Sequence, residues 1–132
     1  MRTIFMAAAA GLALTVPSFS QDDLRSAISA DWDNHLQALY EHFHENPELS
    51  FMETETAARL AQELRTAGFE VTEGVGRTGV VAVMENGEGP TIMLRADMDG
   101  LPVREDTPVD YASEVMGEDR MGNTFPVMHA CA

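Results

Sequence analysis

Two carboxylates, Asp97 and Asp99, flank a single residue in Asp97-Met98-Asp99-Gly100-Leu101-Pro102, where an apolar run ends. In open α/β sheets ligands bind outside the carboxyl ends of strands. This spacing therefore lets one acid face a cleft while backbone amides hold the other. A polar turn with both acids solvated accounts for the same residues. A second candidate is His129 with Cys131, in Val127-Met128-His129-Ala130-Cys131-Ala132. Imidazole nitrogen and thiolate sulfur suit zinc or a similar transition metal, and a tail without a role is the competing reading. The third is His42-Phe43-His44-Glu45-Asn46-Pro47. Histidines two apart point to different sides of a helix and cannot share a metal as an i, i+4 pair does. For His42, and for His35 before it, the simpler role is to complement the negative end of a helix. His44, just ahead of Asn46-Pro47, is placed to tie down a turn.

These groups need elements to hold them. Asp22 and Asp23 are suited to cap a helix, and Leu24, Ile28, Leu36, Leu39, Tyr40 and Phe43 recur at near-helical spacing. The pattern predicts a helix over 24–45, stopped at Asn46-Pro47 because a proline excludes α geometry before it. Ser50-Phe51-Met52-Glu53 fits a capping box that opens a second helix. That helix has an apolar face of Ala57, Leu60, Ala61 and Leu64 and a stop at Gly68. The period then turns extended. Strands are expected over 69–72, 79–84 and 91–96, with Asn86-Gly87-Glu88-Gly89 as hairpin turn chemistry between the last two. Their unbroken apolar runs predict burial on both faces, as in a layered sheet, and residues after Asp97 are expected to be mostly loop. The fold class is α/β: two helices followed by sheet strands, the opening of a domain.

The 132 residues carry 8 Arg and no Lys against 22 Asp+Glu, a formal net charge of -14. A hydrophobic fraction of 45% with 23% charged residues is a globular composition. The acidic balance excludes nucleic acid and anionic membrane surfaces as expected partners, since phosphate recognition needs clustered cations. Cys131, the single cysteine, excludes an internal disulfide. Residues 1–20 read as a signal peptide: Arg2, an apolar stretch from Ile4 to Val16, the breaker Pro17, then Ser18-Phe19-Ser20. The stretch is shorter than the roughly 20 apolar residues that span a bilayer, so no stable membrane anchor is expected. Cleavage is expected between Ser20 and Gln21, giving a secreted or periplasmic mature chain over 21–132.

Three blocks resemble the M20 clan of metal-dependent amidohydrolases, in the branch of hippurate, N-acyl-amino-acid and auxin-conjugate hydrolases. They are His44-Glu45-Asn46-Pro47-Glu48-Leu49, Gly76-Arg77-Thr78-Gly79-Val80-Val81-Ala82, and Leu94-Arg95-Ala96-Asp97-Met98-Asp99-Gly100-Leu101-Pro102-Val103. Tyr111-Ala112-Ser113 follows at a family-like distance, and Met128-His129-Ala130-Cys131 resembles the start of a His-Ala-Cys-Gly-His-Asp metal motif. The resemblance covers nearly all of 21–132. It implies the N-terminal part of an α/β/α zinc-peptidase-like catalytic domain. It also implies two divalent metal ions per complete site, with Zn, Mn, Co and Ni equally compatible. Carried over, Cys131 is a metal ligand and Asp99 supports a ligand from behind. Asp97 is either a ligand or a shaper of the strand end, and His129 belongs to the motif with no ligand role assigned. The implied reaction is hydrolysis of the amide bond of an N-acyl amino acid or small peptide.

The motif's Gly-His-Asp is replaced by Ala132, where the sequence stops. The remaining ligands, the general-base glutamate and the dimerisation domain of the family are therefore expected to lie outside these residues. The 132-residue piece is expected to be inactive alone and its strands to lack cover, with a homodimer only for the full-length protein. M20 carboxypeptidases carry His-x-Asp where this chain has Asp97-Met98-Asp99, which favours the acylamino-acid branch. The competing class is a non-catalytic, secreted acidic protein, or a degenerate fragment, binding metal weakly through Cys131 and the aspartates.

Overall fold

The computed structural model describes residues 20–130. The signal-peptide reading of 1–20 falls, but for Ser20, outside the described residues, and Cys131 and Ala132 lie outside them too.

The first helical run extends from 21 to 45, as the periodicity predicts, but with its cap and its regularity altered. Helix α1 (Gln21–Asp31) is capped by Ser20, whose hydroxyl accepts the Asp23 amide at 3.1 Å while the Asp23 carboxylate accepts the Ser20 amide at 3.2 Å. Asp22 and Asp23 thus occupy the first turn, where the helix dipole favours acids. A π turn, Trp32–Leu36, interrupts the run. Within it the Asn34 side-chain amide donates back to the Ala30 carbonyl at 2.6 Å. Helix α2 (Gln37–Glu45) ends where expected, with the Asn46 amide and side chain both donating to the His42 carbonyl ahead of Pro47.

Helix α3 (Thr54–Thr66) is not capped by Ser50. The Glu48 carboxylate takes the first-turn amides of Glu55 and Thr56, at 3.2 and 2.7 Å. Glu53 is engaged elsewhere, accepting the Thr78 hydroxyl at 2.6 Å. The helix begins at Thr54 with Glu53 in the cap position, beyond the left-handed Phe51 at φ 65°, so Ser50 lies too early in the chain to cap it. Ala57 and Ala61 are buried and Leu60 and Leu64 half-buried, so the expected face is the one used. The C-terminus carries the paired bonds of a Schellman motif, Phe69 amide to Leu64 carbonyl and Gly68 amide to Arg65 carbonyl, both at 3.0 Å.

Strands β1 (Glu70–Val75) and β2 (Gly79–Val83) form an antiparallel hairpin with a bulge between Thr72 and Val75. Burial on both faces does not hold: Val81 and Val83 are exposed. The third expected strand is absent, and with it the Asn86-Gly87 hairpin. Residues 91–96 run without ladder bonds, and Ile92, Met93 and Leu94 are 81, 84 and 93% exposed. An apolar strand needs a paired neighbour, and no described segment supplies one. Conversely, part of the expected loop is ordered into a second hairpin, β3 (Met116–Glu118) with β4 (Thr124–Pro126). Its turn is held by Asp119, which accepts the amides of Met121 and Asn123.

The core of this second half is Val127, 1% exposed, packed with Pro47 and Leu49. Two glycines admit it. A Cβ on Gly100 would lie 2.6 Å from one Val127 methyl, and a Cβ on Gly117 2.8 Å from the other. Among the described residues no helix is long and apolar enough to cross a membrane.

Candidate functional site

The segment after Asp97 is fastened by backbone bonds on two sides. The Gly100 amide donates to the Glu48 carbonyl at 2.7 Å, in a parallel bridge to Leu49. Leu101 and Met128 exchange both bonds of an antiparallel bridge, at 2.8 and 3.1 Å. These bridges bring two of the sequence's candidates together, because Asp99 precedes Gly100 and His129 follows Met128.

Asp99 and His129 are both half-buried. Burial holds the His129 imidazole below its ordinary 6.5, aided by the positive charge of His44, while a hydrogen bond to the Asp99 backbone and the Asp99 carboxylate act in the opposite direction. His129 therefore lies near both Asp99 and His44. Asp97 is not drawn in. It is exposed and pairs with Arg95 at 2.5 Å.

One carboxylate with a fully covered side chain is one the sequence does not single out. The Glu105 side chain is 0% exposed. Its Oε1 accepts His44 Nε2 at 2.8 Å and the Thr107 hydroxyl, and its Oε2 accepts the Ser113 amide at 2.6 Å. Burial by itself would raise this carboxyl. The donors from Thr107, His44 and Ser113, with the charge on His44, outweigh it and lower the pKa from 4.5 to about 2. The His44 ring stands edge-on to Tyr111 at 5.2 Å, with Tyr40 6.0 Å from both. His44 thus ties a turn, as expected, but to a partner 61 residues away. No short-range spacing reveals Glu105; its only local signal is Thr107 two residues on.

The other histidines divide. His42 lies in the last turn of α2, where its charge would complement the helix end. His35 does not: the helical run continues past it, and it pairs instead with Glu63 of α3 at 2.9 Å.

Among the described residues no group of three His, Cys, Asp or Glu side chains could hold a metal ion. Asp99 and His129 alone do not make a metal cage. What the described residues provide is a fixed platform, with the two motif segments in register and one carboxylate and one neutral-leaning imidazole at their junction.

No family model matches the chain. It is similar to the hippurate hydrolase of Campylobacter jejuni, 42% identical over 102 residues, which are 76% of this chain and 24% of that protein. It is also similar to thermostable carboxypeptidase 2 of Saccharolobus solfataricus, 49% identical over 90 residues, 67% of this chain and 21% of the relative. Relatives carrying both names are matched, so the choice between acylamino-acid and carboxypeptidase branches rests on the motif residues themselves. Among solved structures, the YXEP protein of Bacillus subtilis, a dinuclear metal binding peptidase from the M20 family, superposes with a TM-score of 0.61 at 34% identity. The match covers 77% of this chain and 27% of that one. The chain spans about a quarter of the length of the relatives it matches. In sequence and in fold, this chain belongs to the M20 amidohydrolases.

Proposed function

We propose that this chain is part of a metal-dependent hydrolase that cleaves the amide bond of N-acyl amino acids or small peptides. The observation that carries the reading is the bridge between Leu101 and Met128, which sets the Asp97–Asp99 block beside the His129 block in a chain related to hippurate hydrolase. In this reading Cys131 is a metal ligand, Asp99 supports a ligand, and Asp97 either binds metal or only shapes the approach to it. Two divalent ions in the complete site would polarise the substrate carbonyl and supply an activated water. In this reading the 132-residue polypeptide on its own is expected to turn over no substrate.

The test is to read the coding sequence through and beyond the codon for Ala132 and to express both the 132-residue chain and any extended product. Each is assayed with N-benzoylglycine and N-acetyl amino acids under Zn, Mn, Co or Ni. The expected result is hydrolysis by the extended product, abolished by a chelator, and none by the short chain. Hydrolysis that survives complete metal removal would sink the proposal.

Export is the second part of the reading, supported by Arg2, the apolar stretch from Ile4 to Val16 and the small residues before Gln21. It has a structural consequence. Cleavage between Ser20 and Gln21 would remove the cap of α1, at a cost of about 0.5–2 kcal/mol to that helix. Intact mass of the protein recovered from the periplasm or medium decides it: a chain beginning at Met1 would exclude processing.

A further inference from the structure

We propose that His44 and Glu105 form a positioning latch that, through Ser113, fixes the backbone of residues 127–129 against that of residues 99–101. The value of this for catalysis rests on the hydrolase reading; the latch itself does not.

The connection can be followed bond by bond. His44, in the last turn of α2, donates to Glu105, and Glu105 takes the amide of Ser113 on its other oxygen. The Ser113 hydroxyl donates to the Val127 carbonyl at 2.7 Å and accepts the Val115 amide at 3.3 Å. Val115 in turn accepts the Val127 amide at 3.0 Å. Val127 is therefore gripped at both its N–H and its C=O, and the next residue, Met128, is paired both ways with Leu101. One side of this chain of bonds is a helix end; the other is the segment that carries His129 to Asp99.

A buried ion pair contributes little net stability over an apolar contact of the same shape, and its best-attested use is to fix register. Register is what this location demands. A slip of one residue would bring Met128 into the slot that Gly100 and Gly117 leave for a valine. It would also carry His129 away from Asp99. Apolar burial alone is non-directional and would tolerate such a slip more readily than a set of directed bonds.

The experiment is residue-resolved amide hydrogen exchange on the full 132-residue chain, with four variants. Glu105→Gln removes the charge, His44→Phe removes the donor but keeps a ring against Tyr111, His44→Gln keeps a donor, and Ser113→Ala cuts the link while leaving the pair intact. The expected result is exchange faster by on the order of tenfold at Leu101, Val127 and Met128 in E105Q, H44F and S113A. The amides of the β1–β2 ladder should not change, and H44Q should recover most of the protection. Uniform acceleration of all amides, no change at those three, or a parent chain in which they are unprotected would each overturn the proposal. If H44F does not fold, S113A and H44Q still decide between the outcomes. Because nothing in this readout depends on turnover, failure of the hydrolase reading would leave a positive result standing.

Discussion

Residues 91–96 and 127–129 are both short apolar runs at the edges of the candidate site, and the fold treats them in opposite ways. Ile92, Met93 and Leu94 stand in solvent, whereas Val127 is the largest fully buried side chain described. By composition the first run is the better strand. What separates them is partners: Val127 and Met128 meet backbone groups of Val115 and Leu101 and the Ser113 hydroxyl, while nothing described pairs with 91–96. An apolar run states a demand for neighbours, and only the rest of the chain determines whether the demand is met.

The contrast can be broken first at Glu105. Glu105→Ala would leave the His44 donor, the Thr107 hydroxyl and the Ser113 amide without their acceptor, and removing one partner of a buried pair costs about 3–5 kcal/mol. Urea unfolding should register it as a lowered midpoint. Acid reaches the same carboxylate without mutation. Its pKa is 4.5 ordinarily and about 2 in the fold, so between those values the unfolded chain binds more protons. The stabilisation from Glu105 is fully present above pH 4.5 and is lost as pH falls towards 2. Unfolding midpoints measured across that window should decline in the parent and much less in Glu105→Gln. Next in size, Gly100→Ala would place a Cβ 2.6 Å from a Val127 methyl, and overpacking of this kind costs about 1–3 kcal/mol. A denaturation midpoint unchanged from the parent would show that Val127 has room to move. The smallest effect belongs to the exposed run. Leu94→Ser, at a site 93% exposed, should shift stability by less than about 0.5 kcal/mol while reducing self-association in light scattering. A large loss of stability there would mean that residues 91–96 are paired after all.

The sequence was most legible where the signal is local. Asn46-Pro47 stops α2 and Gly68 ends α3 because backbone restrictions act over two or three residues. The α3 cap was misread because two acceptors compete for the same amides, and only the fold brings Glu48 rather than Ser50 to them. Two of the family blocks lie side by side, and the Leu101–Met128 bridge accounts for that. Glu105 was invisible because His44 and Ser113 lie 61 and 8 residues away on separate segments. The strand expected at 91–96 failed for the complementary reason: its pattern is clear, and its partner is not among the described residues.

The π turn at Trp32–Leu36 carries a consequence of another kind. It amounts to one residue more than an α-helix would spend on that stretch. Each residue of an α-helix advances the side chains by about 100° around the axis. Deleting one residue there would restore a plain helix and rotate Leu24 and Ile28 by roughly that angle relative to Tyr40, whose ring packs on His44 and Tyr111. The direction in which the uncovered apolar edge of α1 leaves the molecule is thus a matter of helical phase, adjustable by a single codon without touching the anchored end.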